Sequence, residues 1–113
     1  MTERRYAVEI TRGAEDDLEE IHGYRMELRG GDDADALIDQ FLAGIETLET
    51  FPERGAVPKE LESTGIREFR QHLLGPYRLI YRVMEARVII LVIVDARRDV
   101  QTLLERRLLG RPA

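Results

Sequence analysis

The feature that most constrains the fold is an unbroken run of seven apolar residues, VIILVIV, at positions 88–94. Six of the seven are β-branched, and β-branched side chains favour strands over helices. A strand without polar alternation is typical of one that is covered on both faces of its sheet. The run is much shorter than the roughly 20 residues that a membrane-spanning helix requires. We therefore expect a central strand with other elements packed on each side of it.

The segments before this run predict one strand and two helices. Apolar residues alternate with other residues over positions 6–10, which is the period of a half-buried strand. Two stretches with helical spacing follow, separated by Gly30 and Gly31, and Asp32 or Asp33 can cap the second of them. The apolar stripes of the two helices are Ala14, Leu18, Ile21 and Leu28, then Leu37, Phe41, Ile45 and Leu48. The helices are expected to form a hairpin.

The second half of the chain predicts a loop, a three-stranded meander and a last helix. Residues 51–65 carry two prolines and two glycines without sustained periodicity, which indicates a connecting loop. Three strand patterns then follow with only short links between them, as in an antiparallel meander. The closing helix has the stripe Val100, Leu103, Leu104 and Leu108 and ends at Gly110. The predicted fold is therefore α+β with the order β-α-α-β-β-β-α, in which a helical hairpin packs on an antiparallel sheet with a C-terminal helix.

Length and composition set further bounds. A chain of 113 residues is large enough for one core and too small for two, so residues 1–113 are expected to form a single domain. There is no cysteine and there are only two histidines, which excludes disulfides and thiolate nucleophiles and argues against a metal site. No cofactor-binding motif and no membrane span is present, and we expect a cytoplasmic protein.

The net charge of −5 hides an asymmetry between the two halves. Residues 1–65 hold 7 basic and 17 acidic residues, a net charge of −10, whereas residues 66–113 hold 10 and 5, a net charge of +5. The basic half could meet phosphate or an acidic protein surface, since screening confines its field to about 10 Å at 0.1 M salt. The alternative is that the two halves pair with each other on a solvated surface.

Three motifs in this order of elements carry a resemblance to a known family. The FPERG sequence after the second helix, YRLIYRV at 77–83 and VIVDARRD at 92–99 are similar to the RelE/ParE superfamily of bacterial toxins, which includes plasmid stabilisation proteins. The likeness covers nearly the whole chain. It implies the toxin component of a type II toxin–antitoxin module that causes growth arrest. It also implies a cognate antitoxin protein as partner, in a hetero-oligomer.

Members of this superfamily divide by target. RelE-like toxins bind the ribosome and cleave mRNA, whereas ParE-like toxins inhibit DNA gyrase without cutting nucleic acid. By resemblance, Arg78 matches a functional arginine of the third strand, and Arg97 or Arg98 matches the one after the fourth. The lysines of the RelE pattern have no counterpart here, and Leu103 stands where its tyrosine would fall. Arginine is a poor general base, so among the residues at these positions His72 is the only one left that titrates near neutral pH.

We therefore predict a ParE-like inhibitor of DNA gyrase that is not an enzyme. Two alternatives remain open, namely a RelE-like endoribonuclease acting on the ribosome and mRNA, and an inactive member that only binds its antitoxin. The predicted target-binding residues are Arg78, Arg97, Arg98, Arg106 and Arg107. For a nuclease, the catalytic candidates are Arg78, Arg97 and His72.

Each of these groups also has a purely structural interpretation. Arg78 and Arg82 could lie on a solvated edge or pair with Glu68 and Glu85 across the sheet. Arg97 and Arg98 could pack with Asp95 and Asp99. Arg106 and Arg107 fall in the last turns of the closing helix, where the helix dipole favours cations without any further function. Tyr77 and Tyr81 alternate with apolar residues, which favours packing in the core.

Overall fold

The computed structural model describes residues 5–98 and 100–110, and it confirms the predicted order of elements. It also adds a short 3₁₀ helix that the sequence pattern did not predict. The elements are β1 (Ala7–Ile10), α1 (Arg12–Arg29), α2 (Gly31–Thr47), the 3₁₀ helix (Lys59–Thr64), β2 (Phe69–Leu74), β3 (Tyr77–Met84), β4 (Arg87–Asp95) and α3 (Gln101–Leu109).

The sheet has the strand order β1-β4-β3-β2. Strands β2, β3 and β4 form the predicted antiparallel meander, with two-residue links at Gly75-Pro76 and Glu85-Ala86. The outer strand β1 differs from the prediction because it pairs with β4 in the parallel direction, with Val8 opposite Val88. A parallel pair needs a long crossover connection, and here the whole segment from α1 to β3 supplies it. Strand β4 is thus internal, as its apolar sequence requires.

Helices cover both faces of the sheet. The α1–α2 hairpin packs on one face, where Phe41 of α2 contacts Tyr77 with ring centroids 5.3 Å apart, and where Leu79 and Tyr81 are fully buried. The 3₁₀ helix and α3 pack on the other face, where Leu61 and Leu104 are fully buried. Two small clusters of buried residues, one on each side of a single sheet, therefore hold the fold together, whereas the sequence analysis expected one core.

The helix ends differ in part from the prediction. Thr11 caps α1, since its hydroxyl accepts a hydrogen bond from the backbone N–H of Ala14 at 3.3 Å. The cap of α2 is Gly30 rather than Asp32 or Asp33, which lie inside the first turn. Gly30 has a φ of +92°, a conformation that glycine adopts without strain, so one residue both ends α1 and begins α2. The carboxylates of the first turn interact favourably with the helix dipole, and Asp33 also accepts a hydrogen bond from the Nε of Arg25 in α1 at 2.9 Å.

The predicted loop at 51–65 is ordered by contacts with the sheet. The Gly55 N–H donates to the hydroxyl of Tyr81 at 3.1 Å, and Ala56 pairs with Gln71 of β2 through a backbone hydrogen bond of 2.7 Å. A Cβ atom at position 55 would overlap the Gln71 carbonyl, so the close approach requires glycine. The loop thereby covers part of the outer edge of β2.

Candidate functional site

The structure places Arg78 inside the protein. Its guanidinium makes three hydrogen bonds of 2.8 to 3.0 Å to both carboxylate oxygens of Glu60, and both side chains are 4% exposed. The Nε of Arg78 is buried without a partner among the described residues. Arg78 therefore lies neither on a solvated edge nor beside Glu68 or Glu85. It joins the 3₁₀ helix to β3 and, in this position, has no surface with which to meet a target.

Arg107 is also used within the fold. It donates to both carboxylate oxygens of Asp17 at 3.3 and 3.0 Å and to the carbonyl oxygen of Leu91 at 2.8 Å. Asp17 accepts a further hydrogen bond from the backbone N–H of Ile93 at 3.0 Å. One carboxylate thus connects α1, β4 and α3. The sequence gives no local signal for this contact, because Asp17 and Arg107 are 90 positions apart.

Arg97 is paired and exposed at the same time. Asp95 accepts hydrogen bonds from the backbone N–H of Arg97 at 2.8 Å, from its Nε at 3.1 Å and from its Nη2 at 2.8 Å. These bonds lower the pKa of Asp95 from 3.8 to about 2, and they raise the pKa of Arg97. The Arg97 side chain nevertheless remains 81% exposed. The predicted packing with Asp95 is confirmed, while Asp99 lies outside the described residues.

Arg98 and Arg106 are exposed, and neither forms an ion pair within the part of the chain that the structure describes. Arg98 follows Arg97 in the turn after β4, and Arg106 lies on the outer side of α3. Of the five predicted target contacts, only Arg97, Arg98 and Arg106 therefore present their side chains to solvent. They remain the candidates for target binding.

Two exposed residues of α1, one helical turn apart, lie on the side of the helix that extends towards this turn, and the sequence analysis proposed neither of them as a contact. Tyr24 is 62% exposed and Leu28, predicted to face the core, is 59% exposed. The hydroxyls of Tyr77 and Tyr24 lie within electrostatic range of Arg97 and raise its pKa further. The backbone N–H of Ala96 donates to the carbonyl of Pro76 at 2.7 Å, which fixes the turn against the β2–β3 link. We call Tyr24, Leu28 and Arg97 the Arg97 surface.

The three nuclease candidates are not brought together. His72 is opposite Leu79 in the β2–β3 register and therefore lies on the hairpin side of the sheet, whereas Arg78 lies on the opposite side. Burial, and to a lesser extent the charge of Arg54, lower the pKa of His72, which favours its neutral form. The remaining structural interpretations hold in part, since Arg82 pairs with Glu68 at 3.1 Å and the two tyrosines of β3 are buried.

A cleft between the helices of the hairpin is a second candidate site. Its volume is about 360 Å³, and it is lined by Glu15, Leu18, Glu19, His22 and Ile38. His22 contacts Asp35 through its Nε2 at 2.9 Å. The floor is apolar and the rim is acidic, so the cleft suits an apolar side chain that is flanked by cations.

The described residues offer no evident metal site and no membrane span. Within 5–98 and 100–110, no three histidine, aspartate or glutamate side chains converge as metal ligands. None of the helices in these ranges has the length and apolar character needed to cross a membrane.

Comparison with known families decides the identity of the fold. The sequence model described as the ParE toxin of the type II toxin–antitoxin system parDE matches residues 8–100. This chain belongs to the ParE toxin family. The match runs from β1 to the residue before α3, so it includes both the Arg97 turn and the hairpin. The predicted membership of the RelE/ParE superfamily is confirmed, and the protein is a type II toxin.

Solved structures of toxin–antitoxin systems share this fold. The chromosomal ParDE system from P. aeruginosa contains a chain that matches with a TM-score of 0.69 and 21% identity, covering 83% of this chain and 99% of that one. The toxin–antitoxin complex RelBE2 from Mycobacterium tuberculosis matches with a TM-score of 0.57 and 21% identity, covering 83% and 94%. No curated protein sequence matches this chain significantly. The predicted α+β architecture is thereby confirmed.

Proposed function

We propose that this toxin inhibits DNA gyrase through protein contacts and is neutralised by a cognate antitoxin. Membership of the ParE family supports the choice of gyrase over the ribosome. The exposed cations of the turn after β4 and of α3 would contact the target. The toxin itself would not cut nucleic acid.

The observation that carries this proposal is the separation of the nuclease candidates. Cleavage of RNA needs a group that accepts the proton of the 2′-hydroxyl, a group that protonates the leaving oxygen and cations for the phosphate, all within hydrogen-bond reach of the same phosphodiester. Arg78 is buried against Glu60, and His72 lies on the opposite side of the sheet. The carboxyl that Arg97 binds, that of Asp95, stays ionised down to a pH of about 2, which makes it a weak base for proton transfer at neutral pH.

The antitoxin proposal rests on the family and on the hairpin cleft. Both solved structures named above are toxin–antitoxin systems. The apolar floor of Leu18 and Ile38, with Glu15 and Glu19 at its rim, would accept an apolar residue of a basic amphipathic segment. Such a segment could be contributed by an antitoxin that folds on binding.

The decisive experiment follows DNA and protein synthesis after induction of the toxin alone. Incorporation of labelled thymidine and of labelled amino acids is measured over the first minutes, and the purified toxin is added to a gyrase supercoiling assay. We expect DNA synthesis to fall first and supercoiling to be inhibited. If protein synthesis falls first and purified gyrase is unaffected, the gyrase proposal is wrong and ribosomal mRNA cleavage should be assayed by primer extension.

A further inference from the structure

The Arg97 guanidinium has one edge occupied and one edge free. Asp95 takes the side-on edge, formed by the Nε–H and one Nη2–H, and it also accepts the backbone N–H of Arg97. A guanidinium carries five N–H donors in a planar fork, so the end-on edge keeps one Nη1–H and one Nη2–H side by side. Two parallel donors of this kind match the two oxygens of a second carboxylate.

The geometry also holds this free edge in a fixed direction. Two side-chain hydrogen bonds to Asp95, from Nε and Nη2, restrict a side chain that is 81% exposed, and the backbone N–H of Arg97 holds the same carboxylate in place. An ordered side chain loses less conformational entropy when a partner binds it. Arg97 is therefore prepared for a contact that its own fold does not make.

The side of α1 that extends towards Arg97 presents two large side chains with apolar surface. Asp17, Tyr24 and Leu28 are spaced by seven and four residues, so they share one side of α1. Asp17 accepts the N–H of Ile93, which shows that this side of α1 runs along the C-terminal half of β4. Tyr24 lies beyond it within electrostatic range of Arg97, and Leu28 follows one helical turn later on the same side of α1; both side chains are about 60% exposed.

We propose that the Arg97 surface docks an acidic side chain that stands in an apolar patch of the target protein. The composition favours a protein over a nucleic acid for two reasons. The Arg97–Asp95 pair has no net charge and Arg98 beside it adds a single cation, which gives the turn little of the long-range attraction that dominates phosphate binding. Tyrosine and arginine are enriched at the energetically dominant centre of protein–protein interfaces, and this surface presents one of each. The identity of the partner as gyrase rests on the function proposed above.

The test uses the full-length toxin and two readouts, growth arrest after induction and inhibition of supercoiling by purified gyrase. The variants are Leu28→Ser, Arg97→Gln and Arg97→Lys. The matched controls are Met26→Ser, an exposed apolar residue about 200° away around α1, and Arg12→Gln, an exposed arginine at the start of α1. Circular dichroism and thermal melts establish that each variant is folded.

We expect all three Arg97-surface variants to need about tenfold or more protein for half-inhibition, as is typical of central interface residues, while both controls behave as wild type. Lysine should not restore activity, because a single ammonium group cannot bind Asp95 and also present two parallel donors. Folded variants that arrest growth as wild type does would overturn the proposal. If Arg97→Gln loses activity while Leu28→Ser keeps it, and if inhibition weakens steeply with added salt, the surface binds phosphate. This result would also overturn the proposal.

The two readouts separate this inference from the gyrase proposal. If the wild-type toxin arrests growth without inhibiting gyrase, the gyrase proposal fails, and loss of growth arrest in the variants still supports the Arg97 surface as the contact for another protein. If gyrase is inhibited equally by wild type and variants, the Arg97 surface is wrong and the gyrase proposal stands. A wild-type toxin with neither effect would contradict both.

Discussion

Arg78 and Arg97 form ion pairs of the same chemistry and the same length, but in opposite surroundings. The Nη2 of each arginine lies 2.8 Å from a carboxylate oxygen, of Glu60 and of Asp95 respectively. The 3₁₀ helix and α3 cover the first pair and leave Arg78 4% exposed, whereas Arg97 lies in an uncovered turn and is 81% exposed. The comparison teaches that a paired arginine can either hold the fold together or be presented to a partner. Burial decides which role it has.

The largest effect that tests this comparison is expected at the buried pair. Replacing Arg78 by Met or Glu60 by Leu leaves one buried charge without a partner, which should lower the free energy of unfolding by about 3–5 kcal/mol. The double variant removes both charges and the unpartnered Nε of Arg78, so it should recover most of this loss. Urea denaturation of wild type, the two single variants and the double variant measures the coupling free energy between the two side chains. Additive losses in the double variant would contradict the role of the pair.

The Asp17–Arg107 contact lies between the two extremes, because its side chains are 18% and 25% exposed. Asp17→Ala removes the acceptor of the Ile93 N–H and of Arg107, and we expect a loss of about 1–3 kcal/mol of unfolding free energy. Asp16→Ala is the control, since this neighbouring carboxylate is exposed. Equal denaturation midpoints for the two variants would show that the connection between α1, β4 and α3 contributes little.

The exposed pair should affect stability less, and its effect should depend on pH. The folded state lowers the pKa of Asp95 from 3.8 to about 2, so ionised Asp95 stabilises the fold above pH 3.8, and this contribution is lost as the pH falls towards 2. Asp95→Asn should therefore be less stable than wild type at pH 7. Its loss of unfolding free energy should be smaller than that of either single variant of the buried pair. The difference in urea midpoint should shrink between pH 4 and pH 2, and a constant difference would contradict the assignment.

The smallest effect is expected at His72. Because β3 separates the strand of His72 from β4 and Arg78 lies on the opposite side of the sheet, His72→Gln should leave growth arrest unchanged. A strong loss of toxicity would reopen the nuclease hypothesis. Burial lowers the pKa of His72, so the unfolded chain binds a proton more readily than the folded one. Wild type should consequently lose stability relative to His72→Gln as the pH falls below about 6.5, which pH-dependent thermal melts can measure.

The elements of this fold were predictable because they depend on neighbours in the chain. The β-branched run at 88–94 is the internal strand β4, and the helical stripes around Phe41 and Leu104 face the two cores. The 3₁₀ helix was missed because six residues without a periodic pattern give no signal above that of a loop. The exposure of Leu28 was missed because an apolar stripe shows which side of a helix is apolar, and the extent of the sheet determines how much of that side is covered.

The sequence by itself determined the order of the elements, the superfamily and the set of arginines from which a contact could be drawn. Only the tertiary structure decided that β1 pairs with β4 in parallel, that Glu60 holds Arg78 in the interior and that Asp17 holds Arg107. These contacts join residues 18 to 90 positions apart, and their energy depends on burial that forms when the helices close over the sheet. The same closure leaves Arg97 outside, because it lies in the turn between the last strand and the last helix. The spacing of apolar residues is a property of neighbours in the chain, whereas the role of a charged side chain depends on the tertiary surroundings that bury it or leave it exposed.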